Sequence, residues 1–168
     1  FSITVTDSLF INNSWGIIAA NGLSGGATGV GNGLSIYNCI FNNIAGIYIN
    51  TTNTTNKSNI YNCSFVSCSG TGIDATVNSA VEDYNRFSSL VSISKITGGA
   101  NSRSGVAGLD FGYSALTALY TLDYNAPYPA SVAQASGTTS GAPATDIYGN
   151  TWSNTTPDQS AATFKIAS

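Results

Sequence analysis

Apolar positions along this chain recur in short alternating runs rather than at helical spacing. In Phe1-Ser2-Ile3-Thr4-Val5-Thr6, Ile3 and Val5 point one way and Thr4 and Thr6 the other, the period of two that marks a strand. The run Ile36-Tyr37-Asn38-Cys39-Ile40-Phe41 returns 24 residues later as Ile60-Tyr61-Asn62-Cys63-Ser64-Phe65. A looser copy, Val5-Thr6-Asp7-Ser8-Leu9-Phe10, precedes them. Each copy is followed by the same kind of tail: Trp15-Gly16-Ile17-Ile18, Ala45-Gly46-Ile47-Tyr48-Ile49 and Thr71-Gly72-Ile73-Asp74-Ala75. A unit in the low twenties cannot bury its apolar face alone, so the units must stack. The pattern predicts an all-β parallel β-solenoid of three to five coils.

Aligning the copies predicts ladders of identical or related residues. Asp7, Asn38 and Asn62 form one column, where a short polar side chain tolerates the left-handed turn and can hydrogen-bond to its neighbours along the stack. Phe10, Phe41 and Phe65 form another, stacked inside the coils, with Phe87 following 22 residues after Phe65. Gly16, Gly46 and Gly72 form a third, where a turn between sheets leaves no room for a β-carbon.

Coils are expected over residues 1–97. They are interrupted at 21–33 by a Gly-rich insertion with six glycines and no periodicity, read as a projecting loop. Leu90 to Ile96 reads as one more strand. Residues 98–168 are expected to leave the repeat. Gly98 to Phe111 reads as a surface excursion, Leu116 to Leu122 as a strand and Ser131 to Ala135 as a helical turn. Pro127, Pro129 and Pro143 then mark an extended tail that packs on the last coil and covers its edge.

Composition narrows the partners. Charged residues make up 8% of the chain, the net charge is -3, and there is neither His nor Met. Neutral polar side chains then carry solubility, which points to an extracellular setting. Five scattered basic residues cannot neutralise several phosphates together, which argues against nucleic acid. No apolar run is long enough to cross a bilayer. Without Met, Phe1 is not a translational start, so the chain is expected to be processed or to be the C-terminal part of a longer one. Three cysteines are too few for a structural zinc site. Cys39 and Cys63 occupy one column, within disulfide reach in a stack, and two readings stand: a small apolar ladder or a bridge.

Four segments carry a family resemblance. They are the Ile-Tyr-Asn-Cys repeat with its Gly-Ile tail, Glu82-Asp83-Tyr84-Asn85-Arg86-Phe87, Tyr120-Thr121-Leu122-Asp123 with Tyr128-Pro129-Ala130-Ser131-Val132, and Gly141 to Asn150. Together they resemble the C-terminal part of a right-handed parallel β-helix of the pectate lyase-like superfamily. That superfamily contains lyases, hydrolases, phage tailspikes, adhesins and inert shafts, so the resemblance implies a fold more than an activity.

A lyase of this kind would imply calcium held by several carboxylates and an Arg or Lys base. Asp74, Glu82 and Asp83 are the local candidates for the metal and Arg86 for the base, although an Arg stays protonated at an ordinary site. The plain alternative is solvated turn carboxylates, with Arg86 paired to Asp83 or Glu82 at the surface. The Pro flanked by two Arg of pectate lyases is missing, and so is the His of polygalacturonases. No opposed acidic pair suits an inverting hydrolase. For binding, Tyr37 and Tyr61 form a candidate glycan-contacting stripe, the plain alternative being a surface Tyr ladder that stiffens the sheet. Sequons place candidate N-glycosylation at Asn12, Asn50, Asn53, Asn56 and Asn154, with Asn62 inward and unavailable. The expected function is a non-catalytic structural or attachment module at a cell surface or on a virion, in contact with glycans and assembled with further copies. The alternative is the C-terminal part of a calcium-dependent polysaccharide lyase.

Overall fold

The computed structural model describes residues 3–11, 14–20, 34–42, 45–50, 57–66, 68, 71–76, 79–88, 91–106, 137–145, 149 and 151–152. Four coils stack, each contributing one strand to each of three parallel sheets. Coil 1 holds β1 (Ile3–Thr6), β2 (Leu9–Ile11) and β3 (Ile17–Ala20). Coil 2 holds β4 (Leu34–Tyr37), β5 (Ile40–Asn42) and β6 (Ile47–Asn50); coil 3 holds β7 (Ser58–Tyr61), β8 (Ser64–Val66) and β9 (Thr71–Ala75). Coil 4 holds β10 (Ala80–Asp83), β11 (Arg86–Ser88) and β12 (Ser92–Ser94). The first sheet runs β1-β4-β7-β10 and the third β3-β6-β9-β12. The second carries a further strand, β13 (Arg103–Val106), beyond β11.

Register follows the repeat. Val5 lies opposite Ile36, Ile36 opposite Ile60, and Ile60 opposite Glu82. Phe10, Phe41, Phe65 and Phe87 pair in sequence, their rings 4.8, 4.9 and 4.8 Å apart and within 7° of parallel. The strand spacing thus sets the ring spacing. Ile47 and Ile73 continue the core through the third sheet, fully buried.

The turn from first to second sheet is made by one residue per coil in the left-handed region: Asp7 (φ 47°), Asn38 (52°), Asn62 (55°) and Tyr84 (56°). Asn and Asp accept this conformation because a short side chain offers the local backbone an alternative partner. Asn62 Nδ2 donates to Asn38 Oδ1 at 3.3 Å, so the polar ladder expected from the alignment is present inside the stack. In the glycine column, Gly46 (φ 75°) approaches Gly72 so closely that a β-carbon would fall on the Gly72 carbonyl.

The cysteine column resolves to thiols. Cys39, Cys63 and Cys68 are buried and free. Cys39 and Cys63 each turn back to the carbonyl two residues earlier, on Tyr37 (3.3 Å) and Tyr61 (3.2 Å), and no bridge joins them. Burial, reinforced by the neighbouring Cys39, pushes the Cys63 thiol well above its ordinary value.

The segment after Gly98 corrects the expected excursion. Residues 98–102 cross the end of coil 4, and β13 then joins the second sheet against β11. Of the later tail, Thr138 to Gly141 lies against the flank of coils 2 and 3 rather than over an end: Thr138 bonds to Asn62, and Gly141 packs on Tyr37. The 21–33 insertion, the 116–122 strand and the 131–135 turn lie outside the described residues.

Candidate functional site

The acidic candidates do not converge. Glu82 sits at the inward position that Ile36 and Ile60 hold in earlier coils and is 1% exposed. Its Oε1 accepts the Gly99 N–H at 2.5 Å, and its Oε2 accepts Asn85 Nδ2 (2.8 Å) and the Ser102 hydroxyl (2.6 Å). Asp83, next on β10, accepts the amides of Tyr84 and Asn101 and the Asn101 side chain, all within 2.9 Å. Asp74 belongs to the third sheet, where it pairs with Lys95 at 3.1 Å on an exposed surface. Among the described residues no group of three or more His, Cys, Asp or Glu side chains is placed to hold a metal ion. Alternation turns Glu82 and Asp83 to opposite faces of β10, and both already accept bonds from N–H or O–H donors.

Arg86 departs from its expected surface position. It is 2% exposed, not a surface residue, and its amide donates to the Cys63 carbonyl at 2.9 Å within β11.

Tyr37 and Tyr61 do form the expected stripe, with ring centroids 6.0 Å apart and planes 8° from parallel. It is not a clear platform, however. Gly141 lies on Tyr37 so closely that a β-carbon there would meet the ring. Burial first, then Tyr37, Asp83 and Glu82, raise the Tyr61 phenol above its ordinary 10.0. The stripe and the 138–141 segment thus make one packed surface.

A second aromatic face escaped the sequence reading. On the outer side of the third sheet, Ile18 pairs with Tyr48, and Tyr48 with Asp74. Trp15 leans on Tyr48 with centroids 5.3 Å apart and planes at 51°. Both rings are half-buried, and Ile18 beside them is 61% exposed. The Asp74–Lys95 pair continues the same column, and Asn50, exposed at the end of β6, accepts the Thr76 hydroxyl at 3.3 Å. The signal was legible only after pairing: Trp15 and Tyr48 belong to different coils, and neither residue repeats in its column.

Of the sequons, Asn62 is buried and hydrogen-bonded, as expected, and Asn50 is exposed. Asn12, Asn53, Asn56 and Asn154 lie outside the described residues. Comparison of the chain with protein-family models, curated proteins and solved structures gives no match. Among the described residues no helix is long and apolar enough to cross a membrane.

Proposed function

We propose that this chain is a structural rod, an extracellular attachment module that touches saccharide through its Trp15–Tyr48 face. The observation that carries this reading is that face itself. Two tilted aromatic rings and an exposed Ile18 stand beside a charged pair and an exposed amide, so apolar ring surface and hydrogen-bonding groups lie on one outer face of the third sheet. Pyranose rings offer the same combination, with apolar C–H faces and hydroxyl rims. The low charge and the exposed Asn50 sequon support a place outside the cell, on a surface or virion. The coils are read as right-handed, because parallel crossovers almost always turn that way. The lyase alternative draws no support from Glu82 or Asp83, whose carboxylates bind residues 99–102 at the close of the stack.

Intrinsic fluorescence tests the reading. In a Trp152→Phe background, Trp15 is the only tryptophan, and titration with neutral and acidic oligosaccharides should change its emission saturably. Tyr48→Ala should weaken the response about tenfold or more, as loss of a stacking ring does in binding sites. A panel that leaves the emission flat would remove saccharide contact from the proposal and leave only the rod.

A further inference from the structure

The fourth coil is where the inward columns change identity. Val5, Ile36 and Ile60 give way to Glu82, and Cys39 and Cys63 give way to Asn85, since Cys63 and Asn85 both follow the left-handed turn. Both new residues are at most 1% exposed. Two polar side chains in a core are costly unless every group finds a partner. Here they do, with partners from coils 3 and 4 and, for the Glu82 carboxylate, from residues outside the repeat. Asn85 Oδ1 accepts the Cys63 amide at 2.8 Å, and its Nδ2 donates to the Ile60 carbonyl (2.7 Å) and to Glu82. Ser102 Oγ accepts the Asn85 amide at 2.9 Å and donates to Glu82. Gly99 supplies the remaining donor. Three donors converge on the two oxygens of residue 82.

This network holds residues 99–102 where the first strand of a following coil would otherwise pair. Gly99 lies against the Glu82 carbonyl and the Asp83 carboxylate with no room for a β-carbon, and β13 occupies the edge of β11. The opposite end has no such cover among the described residues. There β1, β2 and β3 are terminal strands, Ile3 is 45% exposed, and Val5, Phe10 and Ile17 are only partly buried, although the residues paired with them in coil 2 are buried completely. The two ends match in strand direction, and Phe10 and Phe87 stand at opposite ends of one column. A contact between them would be heterologous and non-closing, the kind that extends into a filament.

We propose that Glu82 is a latch residue: its carboxylate fixes 99–102 across the end of the stack and so denies that end to the first coil of a second copy of this chain. The inference is independent of the saccharide-binding reading.

The test is Glu82→Gln, which keeps the volume but sets an N–H₂ where only acceptors fit. Amide hydrogen exchange at Gly99 and Asn101 should accelerate about tenfold or more relative to wild type, as expected when local bonds of this kind are lost. The Ser64 and Arg86 amides, bonded to the Cys39 and Cys63 carbonyls, should stay protected. In sedimentation velocity the variant should form concentration-dependent species larger than those of wild type. Adding Ile3→Asp, which puts a charge on β1, the last described strand of the first sheet, should reverse that association. Unchanged exchange at Gly99 in folded E82Q, or faster exchange with no gain in association, overturns the proposal. Should E82Q not fold, Ser102→Ala removes the two bonds of the Ser102 hydroxyl, from the Asn85 amide and to Glu82, and should raise exchange at the same amides by about threefold or more; no change there overturns it equally.

Discussion

Asn62 and Thr138, 76 positions apart, exchange two hydrogen bonds of 2.7 Å: the Asn62 side-chain amide donates to the Thr138 carbonyl and accepts its N–H. A side chain here plays the part of a neighbouring strand. The same amide reaches Asn38 and sits on a residue with φ 55°. Asn62→Ala removes the bonds and leaves a β-carbon in the left-handed region, at an expected cost of about 2–4 kcal/mol. Asn62→Gly restores the backbone freedom but not the bonds, so it should recover only part of the loss. Urea unfolding of both variants checks this, and equal stabilities for them would refute the backbone share.

The aromatic column predicts a position-dependent cost. Phe65 is fully buried with a ring on either side, so Phe65→Ala should destabilise by about 3–5 kcal/mol. Phe10 is partly exposed at the first coil, and the same change there should cost clearly less. Denaturant midpoints that fall equally for the two variants would contradict the stacking account.

High pH should weaken the fold through Cys63. Burial and Cys39 hold its thiol well above the ordinary value of 9.0 in the folded chain, whereas the unfolded chain ionises near that value. The stabilisation is complete below pH 9.0 and is lost as pH rises beyond it toward the folded thiol's own value. One such group steepens the decline by up to about 1.4 kcal/mol per pH unit. Cys63→Ala should lower stability at pH 7 yet show a shallower alkaline slope, measured by urea unfolding across pH 8–11. An unaltered slope would reject the assignment.

Tyr61 offers a spectroscopic counterpart. Because the Tyr37 phenol is one cause of its raised ionisation, Tyr37→Phe should let Tyr61 ionise at lower pH, although burial keeps part of the shift. Nuclear magnetic resonance of ring-labelled tyrosine reads this directly, and a midpoint that stays put or climbs would speak against coupling through the stacked pair.

Most of the rod was legible in the chain because its columns repeat one residue type at a fixed spacing. Phe10, Phe41 and Phe65 declared a shared position, as did Asn38 and Asn62, and strand pairing put them there. What stayed hidden are the places where a column changes identity. Glu82 looked like a solvated carboxylate beside Asp83, because only its pairing with Ile60 reveals that it points inward. Tyr84 takes a turn position held elsewhere by Asp or Asn, and no propensity announces that. The Gly99, Asn101 and Ser102 contacts close over 17 to 20 residues, outside the repeat. The Trp15–Tyr48 face needed register as well: the two rings meet only once coils 1 and 2 are stacked.

The ladder also fixes how the rod would answer a pull. Bonds tying coil to coil, from the Gly16 amide on the Gly46 carbonyl to the Asn62–Asn38 contact, run along the stacking direction. Tension between the two ends therefore loads the interfaces in series, and the weakest yields while the others hold. A freed coil of 24 residues pays out about 80 Å of chain, against the roughly 5 Å it occupied in the stack. Under load the rod would lengthen in discrete steps, a spool rather than a strut.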